Sequence, residues 1–333
     1  MFGTYRTVLA LLVVAGHLGP IEQVGPYAVF AFYVLSGYLM TAILQRNYGY
    51  SLQGLARYAA NRALRILPLY WLVMLLTVAA LAVVGEAAAR AYHPALGLAV
   101  DASTLWQNLA LVLTVDTPTR WVPPAWALTV ELFFYALMGL GLSRWLALTA
   151  LWFGLSVAYT AYLVVGDASF SYRYFPIAAA SLPFSLGALV FHLRARQWLP
   201  PWPRAVAVGV VLLMMANLLA AAFGGAEVDR LRFYANVLLA GAATHALAGL
   251  AAPELKRADA ALGELSYPVY LMHYLAGLLL LIVGIGGVRG DWGFMALGGL
   301  LTLVLAALAA LTVESSIQAL RTRVRGEAMN HGR

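Results

Sequence analysis

Four side chains with acid–base capacity lie inside long apolar runs of this 333-residue sequence: His17, Glu131, His245 and His273. An imidazole there can serve as a general base or a transient acyl carrier. A carboxylate can orient and charge-stabilise an imidazole, or act as the base itself. Arg6 precedes His17 by eleven residues, almost three helical turns, so the two project from one helix face. Arg62 and Arg65, three apart on one face, form a guanidinium pair suited to phosphate. The chain has no cysteine, which excludes disulfides, thiolate metal sites and a cysteine acyl intermediate. No metal-ligand spacing is present, so no metal is expected.

Each of these residues also admits a structural reading. Arg6, Arg62 and Arg65 fit positive anchors that snorkel to headgroups. His17 and His273 fit neutral, hydrogen-bonded histidines, the latter among Tyr267, Tyr270 and Tyr274. His245 has no motif beside it and reads as structural. His192 and Glu314 stand near span ends and need less explanation. Glu131 is the hardest to dismiss, because an isolated carboxylate near the bilayer centre costs on the order of 2.5–3.5 kcal/mol on insertion scales. The Ser36-Gly37 pair marks a small-residue seam for close helix or ligand approach.

The elements that must hold these groups follow from composition. Hydrophobic residues make up 63 % of the chain and charged residues 11 %, too much apolar surface for an ordinary soluble globule to cover. The expected fold is all-α, a polytopic transmembrane helical bundle. About ten spans are expected, near 4–19, 27–45, 66–85, 124–142, 144–165, 175–193, 205–223, 234–250, 266–285 and 293–314. With the N-terminus in the cytoplasm, 15 of the 21 Lys and Arg residues fall on the inner side, so both termini are expected there. Residues 1–320 read as a single transmembrane domain. Its one long outer loop, about 86–123, contains an apolar stretch (Leu105 to Val115) too short to span. Residues 321–333 read as a short basic cytoplasmic tail. The net charge of +7 does not imply nucleic acid, because the basic residues sit in short loops and form no stripe.

Counting from the expected span ends at about 1.5 Å per residue, His17, Glu131 and His273 converge on one middle band of the membrane. Arginines flank that band on the inner side.

Five segments together resemble the integral-membrane acyltransferase family 3. They are YRTVLALLVVAGHLG (5–19), with its Arg-x10-His pattern; AVFAFYVLSGYLM (28–40); RYAANRALRILPLYWL (57–72), with Arg62-x-x-Arg65 and Pro68; AWALTVELFFYAL (125–137), with Trp126, Glu131 and Tyr135; and, more weakly, LGELSYPVYLMHY (262–274). Their order and spacing carry the resemblance. Tyr5 stands where the family commonly has an acidic residue, and Ala127 where it often has serine.

The resemblance implies a membrane O-acyltransferase that moves an acetyl or short acyl group from acyl-CoA to a hydroxyl of an envelope or exported glycan. Acetyl-CoA is then a co-substrate, with no permanently bound cofactor, in a multi-pass protein of the bacterial inner membrane. His17 and Glu131 are the expected catalytic pair. Arg6, Arg62 and Arg65 are expected on the donor phosphates. Ser36, Tyr135, Tyr270 and His273 are expected to position substrate. The rival reading is a secondary transporter or a flippase for a sugar or lipid-linked sugar, using the same midplane His and Glu for protons.

Overall fold

The computed structural model describes residues 1–224, 229–250, 253–285 and 287–329. The side chains of Glu314 and of residues 325–329 lie outside the described ones, as do residues 330–333, so this part of the basic tail is not described. Among the described residues there are fourteen α-helices and no strand: α1 (Phe2–Leu18), α2 (Val24–Ile43), α3 (Leu52–Val84), α4 (Glu86–Tyr92), α5 (Ala102–Ala110), α6 (Trp126–Gly139), α7 (Leu146–Val165), α8 (Phe170–Tyr174), α9 (Ser181–Ala195), α10 (Arg204–Phe223), α11 (Arg230–Gly249), α12 (Lys256–Val283), α13 (Trp292–Ala309) and α14 (Ser315–Met329). The protein is an all-helical integral membrane protein.

Each of the ten expected segments falls on a helix, and seven of these helices are long and apolar enough to cross a membrane. The other three are α1, α6 and α11. The first two are short, at 17 and 14 residues. α11 carries Arg230, Arg232, Asn236 and His245 along its length.

Two helices start well before the expected spans. α3 begins at Leu52 rather than near 66, with Ser51 capping it by accepting from the Gly54 N–H at 3.1 Å. α12 begins at Lys256 rather than near 266. Hydropathy marks only the apolar part of a helix, and both have polar opening turns that project beyond it. Arg57, Arg62 and Arg65 are therefore helical residues.

α1 and α12 run side by side in the same direction, and polar contacts set their register. Asp259 caps the start of α1, accepting from the N–H groups of Gly3 (3.1 Å) and Thr4 (2.8 Å) and pairing with the Met1 amine (3.2 Å). The Thr7 hydroxyl donates to the Leu262 carbonyl at 2.6 Å, and Arg6 donates to the Gly263 carbonyl at 2.5 Å. These bonds accumulate just ahead of Pro268, which has no N–H to give to the preceding turn. From Arg6 to His17 is about 16 Å, and from Gly263 to His273 about 15 Å, so the register places the two histidines at one height.

α2 and α9 cross at reciprocal glycines. A Cβ on Gly37 would collide with the Phe184 carbonyl, and one on Gly187 with the Val34 carbonyl. This is the packing that the Ser36-Gly37 seam foreshadows, and it leaves Ser36 beside α6.

The segment between α3 and α6 is knit onto the face opposite the N-terminus, hereafter the distal face. Buried Asn108 donates to the Thr104 and Thr119 carbonyls (both 2.9 Å) and accepts from the Trp121 N–H (3.1 Å). Tyr70 and Trp71 of α3 donate to the Asn108 and Leu109 carbonyls at 2.6 and 2.9 Å. The apolar stretch from Leu105 to Val115 is only half helical. α5 stops at Leu111, whose φ is 55°, and the chain turns back so that Leu113 N–H meets the Thr129 hydroxyl at 2.9 Å.

Candidate active site

The sequence-expected residues gather around two cavities that share a partition. The first opens toward the N-terminal face and is lined by Arg6, Arg62 and Arg65 at its mouth and by Ser36, Glu131 and Tyr135 deeper in. The second lies toward the distal face and is lined by His17, Glu22, Trp126, Tyr174, Phe175 and Arg289. Val29 and Tyr270 line both. The Tyr270 hydroxyl donates to the Pro124 carbonyl at 2.8 Å, which pins this wall to the turn that opens α6.

In the first cavity, Glu131 accepts from the Ser36 hydroxyl and the Tyr135 hydroxyl, each at 3.0 Å, one on each carboxylate oxygen. Tyr135 is one turn along α6, so this half of the network follows from i,i+4 spacing, and Ser36 completes it from α2. Arg62 and Arg6 line the same cavity as Glu131. One Arg62 nitrogen donates to Asn61 Oδ1 at 2.8 Å. The Nε atoms of Arg6 and Arg62, the Asn61 amide nitrogen and the Tyr58 hydroxyl are buried without a hydrogen-bond partner. Of these four, the two guanidinium atoms belong to residues that line the cavity, and donors left unmet beside an open space are costly. Arg65 lies over the Tyr267 ring at 5.6 Å, and Tyr267 in turn donates to the Ile66 carbonyl at 2.7 Å.

The second cavity holds the imidazole. His17 Nδ1 stands 2.9 Å from His273 Nε2, and His273 Nδ1 stands 2.7 Å from the Tyr270 carbonyl oxygen. The partner of His17 is thus His273, and not Glu131 as the expected catalytic pair has it; Glu131 lines the first cavity. The expected span start near 266 sets His273 too shallow; the earlier start of α12 brings it level with His17. Tyr274 packs against both rings, at 5.3 Å from His17 and 4.9 Å from His273. Arg289 donates to the His17 carbonyl (2.8 Å) and the Tyr92 carbonyl (2.7 Å), tying the end of α1 to the distal loops.

His93, in the loop after α4, meets the Tyr274 ring edge-on at 5.0 Å. Burial first, and then the charges of Arg289 and Arg120, lower its pKa from 6.5 to about 4. Its Nδ1 accepts from the Ala95 N–H at 3.1 Å, a bond that needs the neutral ring.

Arg289, Tyr274, His93, Glu22 and Trp126 border or brace this second cavity without having been sequence candidates for a role there. The available signal for Arg289 was its place: it is one of only six basic residues on the expected outer side, an exception to the charge rule. His192 and His245 stay outside both cavities. His192 donates to the Ser143 carbonyl at 3.0 Å, and His245 accepts from Arg194 at 2.9 Å and packs against Trp202. Both tie helix ends together. Among the described residues, no group of three or more His, Asp or Glu side chains is arranged to hold a metal.

A family model described as an acyltransferase domain matches residues 4–313, which takes in every residue of both cavities. No curated protein and no solved structure matches the chain.

Proposed function

The chain belongs to acyltransferase family 3, a family of membrane acyltransferases, and from that premise we propose that it moves an acetyl or short acyl group from acyl-CoA to a hydroxyl of an envelope or exported glycan, in the bacterial inner membrane. The observation that carries the donor half is the arginine-lined mouth with its buried, unpartnered donors. Coenzyme A brings phosphates for Arg62, Arg65 and Arg6 and a long, thin arm that leads a thioester inward. With the N-terminal face taken as cytoplasmic, as the charge bias expects, the mouth faces the compartment where acyl-CoA is made.

The acceptor enters the second cavity. Its Trp126, Tyr174 and Phe175 walls suit the apolar face of a sugar ring, and Glu22 and Arg289 offer polar contacts at its rim. His17 takes the proton of the acceptor hydroxyl as that oxygen attacks the thioester carbonyl. The tetrahedral intermediate then collapses, the C–S bond breaks, and His17 returns the proton to the departing sulfur. The products are the ester and free CoA thiol. Tyr270 and Val29 form the boundary that the acyl group must cross. Glu131, Ser36 and Tyr135 line the donor arm's path on the other side of it. No permanently bound cofactor enters this scheme.

The test is transfer of labelled acetyl from acetyl-CoA to glycans of the membranes in which the protein is expressed. Label on glycan that requires the protein supports the reading; its absence, with acetyl-CoA neither bound nor consumed, ends it. Family membership gives no support to the transporter reading.

A further inference from the structure

The contact between His17 and His273 fixes more than their proximity. The ring planes are parallel to within 2° and their centroids lie 5.0 Å apart, while one nitrogen pair closes to 2.9 Å. Rings stacked face to face would not close a single N···N contact in this way. The imidazoles therefore lie edge to edge in nearly one plane, so an N–H on one points along the lone pair of the other.

Proton positions follow by elimination. A carbonyl oxygen only accepts, so His273 Nδ1 must carry the hydrogen that it gives to Tyr270. A neutral His273 then has a bare lone pair on Nε2. That lone pair must receive a proton from His17 Nδ1. His17 in turn is left with a bare Nε2, which has no hydrogen bond to the protein and is not among the buried unpartnered atoms. His17 is only partly buried and faces the second cavity, whereas His273 is fully buried and lines neither cavity.

We infer that His273 is a positioning residue for the acyl transfer: it receives the Nδ1 proton of His17 and so holds His17 in the one tautomer whose Nε2 lone pair is open to an acceptor hydroxyl. The role is that of the orienting group in a nucleophile–base–orienter series, filled here by a neutral imidazole anchored on a backbone carbonyl. A neutral orienter holds the base without adding a negative charge to the membrane interior, where an isolated carboxylate is costly. The Tyr270 carbonyl does the anchoring, so the residue whose ring parts the two cavities also sets the protonation of the base beside them. This assignment rests on the acyl-transfer reading, in which His17 is the base.

Two measurements test it. The first needs no turnover. In protein labelled with ¹⁵N-histidine, the chain's six histidines give separable ring signals, and that of His17 is identified by its loss in His17→Ala. The expected state is Nδ1 protonated and Nε2 bare, in wild type and in His273→Gln, whose amide oxygen can take the place of the Nε2 lone pair. In His273→Leu the His17 signal moves toward the Nε2-protonated form. A wild-type His17 found with Nε2 protonated, or charged at neutral pH, overturns the assignment even if neither His273 variant folds.

The second is kinetic, with labelled acetyl-CoA and membrane glycans as probes. In His273→Leu, kcat falls by about 10³-fold, within the range for a general base put out of action, while KM for acetyl-CoA stays within about threefold. His273→Gln recovers most of the loss. Equal losses in the Leu and Gln variants, or a Leu variant with wild-type kcat, overturn it. A wild-type protein with the expected tautomer but no acyl transfer to any acceptor would sink the acyl-transfer reading and leave the proton assignment standing.

Discussion

At the N-terminal face the guanidinium Nε atoms of Arg6 and Arg62 are buried with nothing to bond, whereas at the distal face the two imidazoles engage each other and a backbone carbonyl, leaving one nitrogen open. The first cavity holds donors waiting for a charged partner. The second holds an imidazole already oriented by its own surroundings. A ligand recognised by charge must complete a site that is open before it arrives. A group that must act on a reacting atom has to be aligned beforehand, because small errors of position are costly to rate. The proposed function puts recognition on one side of Tyr270 and chemistry on the other, and the contrast is what that division requires.

Substitutions can break that division. The largest effect is expected at the base. His17→Ala should lower kcat for acetyl transfer by about 10³-fold, within the range typical of a lost general base, while acetyl-CoA still binds. Radiolabel transfer together with acetyl-CoA protection against proteolysis checks both halves; a variant with full activity would remove His17 from the chemistry. Next comes Arg62→Ala, for which KM for acetyl-CoA should rise about 10–100-fold at nearly unchanged kcat, as expected for one or two charge-assisted hydrogen bonds. The penalty should shrink for a donor thioester lacking the 3′-phosphate. If kcat alone fell, recognition and chemistry would not be separate.

Glu131→Gln should have a smaller effect, lowering kcat about tenfold. The amide keeps an acceptor for Ser36 but cannot accept from Tyr135 with its nitrogen. Steady-state kinetics decides this, and an unchanged kcat would leave Glu131 a packing residue of the donor path.

The smallest effect concerns the distal brace. His93 is neutral in the fold down to about pH 4, whereas the unfolded chain takes up its proton near 6.5. Between those values the unfolded state binds more protons, so stability rises with pH. The contribution is complete above 6.5 and is lost as pH falls toward 4. The thermal midpoint of the purified protein should follow that slope, and His93→Gln should flatten it. An identical slope in the variant would show that other groups set it.

Part of both cavities was legible in the chain. Arg6 and His17 share a face by arithmetic, Arg62 and Arg65 share one at i,i+3, and Glu131 reaches Tyr135 one turn on. These are relations within one helix, where spacing determines direction. The bond from Ser36 to Glu131 was half legible: the small pair announced a close helix contact, and the crossing at Phe184 decided which neighbour Ser36 would meet.

What the sequence determined by itself is local or summed. Composition dictates lipid as the outer solvent, hydropathy places the helices, and motif order carries the family. What only the tertiary structure decided is register between segments far apart in the chain. Whether His17 meets Glu131 or His273 turns on where α12 begins and on how Asp259, Leu262 and Gly263 lock it against α1. Hydropathy is blind to the polar turns before a span. A shift of one turn, about 5.4 Å, is enough to exchange one hydrogen-bond partner for another.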